Sequence, residues 1–463
     1  MNYDLIIIGS GPGGYVAAIR AAQLKMKVAV IEKAELGGVC LNWGCIPTKS
    51  LLKSAQVFEY ITRAADYGIS VSGDIKPDFK AIIARSRNAV QEMNRGIHFL
   101  FRKNNITLIK GCGRLIAANM VEVQDADGVK KNYTAGNIIL ATGARSKELP
   151  NLKQDGKKII GYKEAMLLEE LPQSMVIVGS GVIGSEFAAF YKTLGTDVTL
   201  VVFIPNMLPN EDIEVSKQIE RSFKKAKMKI LTNSLVETVD TSGEKCKVTI
   251  KTPSETKVIE SDIVLSAVGV TPNIENIGLE KIGVKTEKGR IIIDDFYQTN
   301  IKGIYAIGDI VHGPALAHVA SAEGIICVEK IAGLAVEPLD YDNIPRCVYT
   351  NPEIASVGLT EAAAKEANYE IKVGKFPFTA SGKAAAVGNK EGFVKLIFDA
   401  KNNKLLGAHI IGTNATEMIA EIVVAKKMGA TAYDITKSVH PHPTMSEAIM
   451  EAAAAACEKN IHI

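Results

Sequence analysis

The chain has 463 residues, of which 47% are hydrophobic and 23% are charged. This is the ordinary balance of a globular protein, and it excludes a chain that is mostly disordered. Lys and Arg together number 54, and Asp and Glu number 51, which leaves a formal net charge of +3. This even balance of charges does not indicate a large basic surface, so we expect neither a nucleic-acid nor a membrane partner.

The apolar runs are short. The run at residues 5–8 ends in a glycine cluster, far below the roughly 18 residues that a membrane-spanning helix needs. No basic segment and apolar core of the secretory type precede it, so we expect a cytoplasmic protein. Seven cysteines are too few for a disulfide scaffold. In a reducing compartment, a close cysteine pair is more typical of a redox or metal role.

The predicted elements begin with a βαβ unit that occurs twice, at residues 5–32 and 175–202. The turn glycines of the two copies correspond at a spacing of 170 residues: Gly9, Gly11 and Gly14 in the first, Gly179, Gly181 and Gly184 in the second. The first glycine of such a turn allows the bend, the second lets the backbone approach a pyrophosphate, and the third lets helix and strand pack closely. The helix N-terminus then offers free N–H groups to phosphates. Two copies therefore predict two dinucleotide sites.

The copies differ at the end of their second strand. The first copy ends at Glu32, whose carboxylate can accept hydrogen bonds from ribose hydroxyls. The second copy has Val202 at this position, and valine cannot accept a hydrogen bond from its side chain. We therefore expect the second site to be the less well defined of the two.

Cys40 and Cys45 follow the first copy within residues 37–52, GGVCLNWGCIPTKSLL. Zinc knuckles usually have a C-x2-C pair with a second pair nearby, so this C-x4-C pair does not indicate a metal site. Pro47 suits the first turn of a helix, whose N-terminus lowers the pKa of a nearby thiol, and Lys49 adds positive charge. The pattern favours a redox pair with a stabilised thiolate at Cys45 over two inert buried thiols.

The later elements complete an α/β fold. They are helical patterns at 50–65 and 77–104, strands ending at Gly143 and Gly269, a strand ending at Asp309, a helix at 312–333, an alternating antiparallel pattern at 369–411, and helices at 414–430 and 444–459. Thr444 and Glu447 have capping-box spacing. The order predicts two Rossmann-like dinucleotide-binding domains and a C-terminal α+β domain.

His442 is followed five residues later by Glu447, and His440 lies two residues before His442. Thiol–disulfide exchange needs a base that generates the attacking thiolate, and a histidine held by a carboxylate is such a base. A structural histidine is the other interpretation of these residues, and we expect it to hold for His440.

The motifs GSGPGG at 9–14, GSGVIG at 179–184, GIYAIGD at 303–309 and HPHPTMSE at 440–447 occur in this order with the cysteine segment. Together they resemble the flavoprotein disulfide reductases, the class I pyridine nucleotide-disulfide oxidoreductases. The resemblance covers essentially the whole chain and is strongest to the branch that oxidises dihydrolipoamide. It implies FAD and NAD as cofactors, a homodimer, and oxidation of a dihydrolipoyl carrier protein by an active-site disulfide with hydride transfer to NAD+.

The resemblance also implies roles for individual residues. The FAD-binding residues are Gly9, Gly11, Gly14, Glu32, Lys49, Gly143, Asp309 and Ala317, and the NAD-binding residues are Gly179, Gly181, Gly184, Val202 and Gly269. The catalytic residues are Cys40, Cys45, Lys49, Glu186, His442 and Glu447, and no metal is implied. Cys45 faces the flavin, Cys40 exchanges with substrate, and Lys49 pairs with Glu186. His442 and Glu447 face Cys40 of the other subunit.

The implied domains are an FAD-binding domain at 1–145, an NAD-binding domain at 146–270, a central part at 271–340 that returns to the FAD domain, and an interface domain at 341–463. The implied carrier belongs to a 2-oxo-acid dehydrogenase complex, or is the H protein of glycine cleavage.

The main alternative is another disulfide reductase such as glutathione reductase, for which NADP is the alternative cofactor. It is disfavoured because residues 203–210, FIPNMLPN, offer no Arg or Lys for a 2′-phosphate. Mercuric reductase and the large thioredoxin reductases are expected to show a C-terminal cysteine pair, which this sequence does not show. A non-catalytic use of the fold is disfavoured by the intact cysteine and histidine motifs.

Overall fold

The computed structural model describes residues 2–463, which form 24 β-strands and 14 α-helices. The strands are β1 (Asn2–Ile8), β2 (Val28–Glu32), β3 (Thr107–Lys110), β4 (Cys112–Ala117), β5 (Met120–Gln124), β6 (Lys130–Leu140), β7 (Ala144–Ser146), β8 (Ile159–Ile160), β9 (Ser174–Val178), β10 (Asp197–Val201), β11 (Lys229–Leu231), β12 (Leu235–Asp240), β13 (Cys246–Lys251), β14 (Thr256–Ser261), β15 (Ile263–Ser266), β16 (Val270–Pro272), β17 (Thr286–Glu287), β18 (Arg290–Ile291), β19 (Ile304–Ala306), β20 (Arg346–Val348), β21 (Glu353–Gly358), β22 (Ile371–Pro377), β23 (Phe393–Asp399) and β24 (Leu405–Gly412). The helices are α1 (Pro12–Gln23), α2 (Gly38–Trp43), α3 (Cys45–Thr62), α4 (Phe79–Lys103), α5 (Tyr162–Ala165), α6 (Val182–Leu194), α7 (Ile213–Lys225), α8 (Leu279–Ile282), α9 (Ala317–Ile331), α10 (Glu361–Glu366), α11 (Gly382–Ala386), α12 (Ala415–Lys427), α13 (Ala432–Lys437) and α14 (Glu447–Ala455).

The chain divides into two compact units. The first comprises Ile83–Lys147, Gly269–Leu339 and the residues up to Ser50, and the second comprises Leu51–Ile82, Glu148–Val268 and Asp340–Ile463. Each unit contains one copy of the βαβ repeat. The predicted duplication is therefore also a duplication in three dimensions.

The first unit contains a sheet in the order β3-β2-β1-β6-β5-β4, with β19 also paired to β6. β1 is parallel to β2 and β6, and its residues Leu5, Ile6 and Ile7 are fully buried. A strand buried on both faces is typical of a parallel sheet covered by helices. Helix α9 lies so close to α1 that a Cβ on Gly324 would lie 2.7 Å from the carbonyl oxygen of Gly13.

The second unit contains the parallel sheet β11-β10-β9-β15-β8, the antiparallel sheet β12-β13-β14 and the antiparallel sheet β20-β21-β24-β23-β22. The last sheet forms a core with α12 and α14. Helix α14 lies so close to β22 that a Cβ on Gly374 would meet the carbonyl oxygen of Ala452 at 1.8 Å. The α/β class and the antiparallel sheet predicted at 369–411 are confirmed, but burial does not alternate along β23, which is buried at every residue.

The bounds of the predicted helices need correction. The helices predicted at 50–65 and 312–333 begin at Cys45 and Ala317. The last helix begins at Glu447 rather than at residue 444, because the Thr444 hydroxyl donates to the carbonyl oxygen of Pro441 (2.8 Å) and does not cap the helix. Only half of the predicted capping box forms, in which the Thr444 N–H donates to Glu447 Oε2 (2.7 Å). The helix predicted at 414–430 ends at Lys427.

A buried ion cluster joins α7 and α10 to β23 within the second unit. The ammonium of Lys395, a side chain only 1% exposed, lies 3.1 Å from Asp212 Oδ1, 2.9 Å from Glu214 Oε1 and 2.7 Å from Glu361 Oε2. Burial alone would raise the pKa of Asp212, but the Glu214 N–H and nearby cationic groups hold it below its usual value. None of the helices in residues 2–463 has the length and apolar character needed to cross a membrane.

Candidate active site

The first glycine turn has the geometry that a dinucleotide requires. Gly9 has a φ of +104°, and a Cβ there would meet the carbonyl oxygen of Ala141 at 2.2 Å. A Cβ on Gly14 would lie 2.0 Å from the carbonyl oxygen of Gly9, whereas Gly11 faces open space. The turn thus accepts only glycine at its two packed positions and leaves its middle position accessible at the start of α1.

Glu32, the last residue of β2, bonds directly to this turn. Its Oε2 accepts from the Ser10 N–H (2.9 Å) and hydroxyl (2.6 Å), and its Oε1 accepts from the Ala34 N–H (2.9 Å). These bonds fix the carboxylate beside the N-terminus of α1. The arrangement fits an FAD whose pyrophosphate lies on the turn and whose ribose lies on Glu32.

The cysteine pair is fastened to the same turn. The Gly37 N–H donates to the carbonyl oxygen of Ser10 (3.1 Å), and a Cβ on Gly38 would lie 2.7 Å from the Cα of Gly11. Cys40 lies in the middle of α2, a short helix that the sequence pattern did not predict, and Cys45 is the first residue of α3. The contact between the loop and the turn therefore holds both thiols near the predicted FAD site.

The two thiols interact, and both are partly buried. The hydrogen bond with Cys45 raises the pKa of Cys40, burial raises it further, and the positive charge of Lys49 opposes both. Cys45 is the first residue of α3, and a thiolate is stabilised at a helix N-terminus. The roles of Cys45 as the flavin-side thiolate and of Cys40 as the exchanging thiol stay predictions.

Helix α4 supplies contacts to the cysteine loop that the sequence did not suggest. Arg87 Nη1 donates to the carbonyl oxygen of Asn42 (2.9 Å), and Asn94 Nδ2 donates to Asn42 Oδ1 (2.7 Å). The guanidinium of Arg87 also lies 4.8 Å from the ring centroid of Trp43, and burial lowers its pKa. No local pattern indicates these partners, because more than forty residues separate them.

Asp309 and Ala317 both belong to the first unit, Asp309 at a turn after β19 and Ala317 at the start of α9. Burial raises the pKa of Asp309, which the positive charge of Arg290 opposes. Glu323, which the sequence did not single out, is 1% exposed, and its Oε2 accepts from the Gly308 N–H (2.6 Å). That bond fixes the backbone immediately before Asp309.

Gly143 follows β6 with a φ of +66° and faces open space. The Asn273 N–H donates to its carbonyl oxygen (2.8 Å), which orders this strand end. Gly269 has a φ of +112° and also faces open space, and its carbonyl oxygen accepts from the Lys147 N–H (3.0 Å). Both glycines can admit a ligand close to the backbone.

The second turn repeats the geometry of the first. Gly179 has a φ of +107°, and a Cβ there would lie 2.4 Å from the carbonyl oxygen of Ala267, while Gly181 faces open space. A Cβ on Gly184 would lie 2.0 Å from the carbonyl oxygen of Gly179. Val202 is 1% exposed, so its side chain packs in the core. The turn fits a nicotinamide dinucleotide, but no carboxylate stands at the strand end.

Glu186 and Lys49 lie in different units. Glu186 is 3% exposed on α6, and its Oε1 accepts from the Tyr349 N–H (3.0 Å). Lys49 lies on α3, four residues after Cys45. The pairing of Lys49 with Glu186 stays a prediction.

His442 and Glu447 are in direct contact, with Nδ1 and Oε1 2.8 Å apart. The His442 side chain is 77% exposed, so its other ring nitrogen is accessible to a reactant from outside the chain. Burial would raise the pKa of Glu447, but the hydrogen bonds from the Thr444 N–H and from His442 lower it. His440 differs, because its side chain is only 5% exposed and its Nε2 lies 2.8 Å from Glu421 Oε1.

Among residues 2–463, no group of three or more His, Cys, Asp and Glu side chains is arranged to hold a metal ion. The groups that the structure does assemble are two glycine turns at helix N-termini, a dithiol and a histidine–carboxylate pair. This combination suits two dinucleotides and thiol chemistry.

Comparison with known proteins identifies the class. Residues 3–324 match the family described as pyridine nucleotide-disulphide oxidoreductase, and residues 344–453 match the dimerisation domain of that family. The chain therefore belongs to the pyridine nucleotide-disulphide oxidoreductases. FAD and NAD are the cofactors of the branch that the relatives below represent, so the expected enzyme class and cofactors are confirmed.

The relatives narrow the class further. The chain is 47% identical to a dihydrolipoyl dehydrogenase of Rhizobium etli, with 97% of each chain covered, and 42% identical to that of Bacillus subtilis, with 100% and 99% covered. A crystal structure of LpdA from Mycobacterium tuberculosis matches with a TM-score of 0.91 and 28% identity, covering 97% of this chain and 98% of that one. The resemblance noted in the sequence is confirmed, and glutathione reductase is not favoured.

Proposed function

We propose that this protein oxidises the dihydrolipoyl group of a carrier protein to the lipoyl disulfide, with FAD bound to the first unit and NAD+ as the final acceptor. The observation that carries the proposal is the cysteine pair, whose loop bonds to the Ser10 turn of the predicted FAD site. Full-length similarity to dihydrolipoyl dehydrogenases supports the choice of substrate.

The chemistry begins with the Cys40–Cys45 disulfide. His442, oriented by Glu447, takes the proton of one substrate thiol, and the thiolate attacks Sγ of Cys40. The Cys40–Cys45 bond breaks, and Cys45 leaves as a thiolate stabilised by the α3 N-terminus and Lys49. The second substrate thiol then displaces Cys40, which closes the lipoyl ring. The substrate has lost two electrons and two protons. The cysteine pair has gained the electrons, one proton is on His442, and the other goes to the Cys40 thiolate as it leaves.

Bound FAD supplies the two-electron carrier between the dithiol and NAD+. The residues proposed to hold it are those of the first turn, Glu32, Lys49, Gly143, Asp309 and Ala317. The residues proposed to hold NAD+ are those of the second turn, Val202 and Gly269. Glu186 is proposed to orient Lys49.

The match to a dimerisation domain supports a homodimer. We propose that the His442–Glu447 pair of one copy serves the cysteine pair of the other, which fits the high exposure of His442 in a single chain. The proposed external partner is a lipoyl-bearing carrier of a 2-oxo-acid dehydrogenase or glycine-cleavage system.

The test is an anaerobic titration of the purified holoenzyme with dihydrolipoamide, followed by NAD+, and monitored by absorbance. We expect a long-wavelength charge-transfer band on reduction and its loss on addition of NAD+. Cys45→Ser should abolish the band. His442→Gln should slow reduction by dihydrolipoamide by roughly 10²–10⁴-fold, the usual contribution of a general base, while reduction by NADH is retained.

A wild-type protein that dihydrolipoamide leaves unreduced would contradict the substrate assignment. Reduction by NADPH and reoxidation by glutathione disulfide would then support the alternative reductase.

A further inference from the structure

Helix α4 contacts both helices that carry the redox cysteines. Arg87 and Asn94 bond to Asn42 on α2, as described above. Arg85 Nη1 donates to the carbonyl oxygen of Ser50 (2.9 Å) and to its hydroxyl (2.9 Å), and Ser50 lies on α3. One helix thus bridges the two that bear Cys40 and Cys45.

The link between those two helices is a single residue, Gly44, with φ −145° and ψ −116°. A disulfide requires Cα atoms within about 4.4–6.8 Å, so small changes in the angle between α2 and α3 decide whether the bond can close. Glycine offers the least conformational resistance to such changes. The geometry of the pair therefore depends on what else fixes the two helices.

Arg87 fixes the end of α2 in two ways. Asn42 is the penultimate residue of that helix, so its carbonyl oxygen has no partner within the helix, and Arg87 supplies the missing donor. The guanidinium also lies over Trp43, while its Nε and Nη2 are buried without another hydrogen-bond acceptor. A guanidinium that stacks on an aromatic ring and also donates a hydrogen bond is well ordered. A lysine ammonium cannot make both contacts in the same way.

We propose that Arg87, through its bond to Asn42 and its stacking on Trp43, is a positioning residue that holds the Cys40–Cys45 pair in the geometry for disulfide closure. This inference rests on the redox role proposed for the two cysteines. A dithiol held in closing geometry has less conformational freedom to lose when it is oxidised, so the disulfide is favoured over the dithiol. Loosening α2 should make the disulfide easier to reduce.

The test compares the disulfide–dithiol equilibrium of wild type, Arg87→Gln and Arg87→Lys. Each holoenzyme is equilibrated in dithiothreitol redox buffers and quenched with an alkylating reagent, and the Cys40–Cys45 peptide is quantified by mass spectrometry. We expect Arg87→Gln to shift the equilibrium three- to tenfold towards the dithiol, where tenfold corresponds to about 30 mV. Arg87→Lys keeps the charge and should shift it almost as far.

The matched control is Arg95→Gln, which removes the same charge from an exposed position on the same helix. It should leave the equilibrium unchanged. Trp43 is the single tryptophan of the chain, so its emission monitors the stack directly. We expect the emission to change in Arg87→Gln and Arg87→Lys but not in Arg95→Gln. If Arg87→Gln fails to fold, Trp43→Phe and Asn94→Ala weaken the same contacts and should shift the equilibrium in the same direction.

An equilibrium in Arg87→Gln equal to that of wild type, or an equal shift in Arg95→Gln, would overturn the proposed role of Arg87. A wild-type pair that does not cycle between disulfide and dithiol would instead contradict the proposed function.

Discussion

The two copies of the βαβ repeat share one turn geometry but differ in what surrounds the turn. At the first turn, the carboxylate of Glu32 bonds to Ser10, and the cysteine loop bonds to the same residue. At the second turn, the corresponding strand is followed by the buried Val202 and the 72% exposed Phe203. The comparison indicates that the first site is built to retain its ligand, whereas the second has fewer fixed polar groups, as suits a ligand that binds and leaves.

The largest expected effect comes from matched substitutions in the two turns. Gly9→Ala and Gly179→Ala each place a Cβ within 2.4 Å of a backbone carbonyl oxygen at a positive φ. We expect Gly9→Ala to lose FAD during purification, and Gly179→Ala to keep FAD and lose reduction of NAD+. Flavin absorbance and NAD+ reduction measure the two losses. Loss of FAD from Gly179→Ala would contradict the assignment of the sites.

A second substitution examines what fixes α7, the helix that follows the second copy. Lys395→Met leaves the buried carboxylate of Asp212 without its ammonium, and breaking a buried pair in this way costs about 3–5 kcal/mol. Lys375→Met is the control. The Lys375 side chain also contacts Glu214 but is 41% exposed, so losing this ion pair should lower the stability far less. Thermal unfolding of the holoenzymes at pH 8 measures the difference.

This effect depends on pH with a defined sign. The lowered pKa of Asp212 means that its contribution to stability is present above the ordinary carboxyl pKa and is lost as the pH falls through the lowered value. In Lys395→Met the Asp212 pKa rises, so protonation removes the unpaired charge. The difference in thermal stability between Lys395→Met and wild type should therefore become smaller from pH 8 towards pH 5. A constant difference would contradict the electrostatic explanation.

The smallest expected effect comes from making the second copy resemble the first. Val202→Glu replaces a side chain that is 1% exposed, and the new carboxylate must turn out of the core to stay solvated. There it can accept from the ribose of NAD+ and repel a 2′-phosphate. A charge-assisted hydrogen bond contributes about 1.5–3 kcal/mol, so KM for NAD+ should fall roughly tenfold or more while KM for NADP+ rises. Val202→Gln offers similar bonds without the charge and should leave NADP+ unaffected. Equal KM values for NADP+ in the two variants would exclude repulsion between the carboxylate and the 2′-phosphate.

The sequence predicts the parts of the molecule that rest on local patterns. The glycine turns, Glu32, the cysteine pair and the contact between His442 and Glu447 all follow from spacing over a few to about thirty residues. The contacts of Arg87 and Lys395 could not be predicted, because their partners lie tens to more than a hundred residues away and neither belongs to a motif. The predicted start of α14 is wrong, because the Thr444 hydroxyl can bond either to the helix or to the carbonyl oxygen of Pro441, and it bonds to Pro441.

The bond between Gly37 and Ser10 connects two events that are usually measured separately. A ligand on the first turn and a bond between the thiols each act on the same short stretch of backbone. Coupling between two such sites is reciprocal: if closing the disulfide tightens FAD binding by some factor, FAD tightens disulfide closure by the same factor. The affinity for flavin and the reducibility of the cysteines are then two measurements of one coupling free energy.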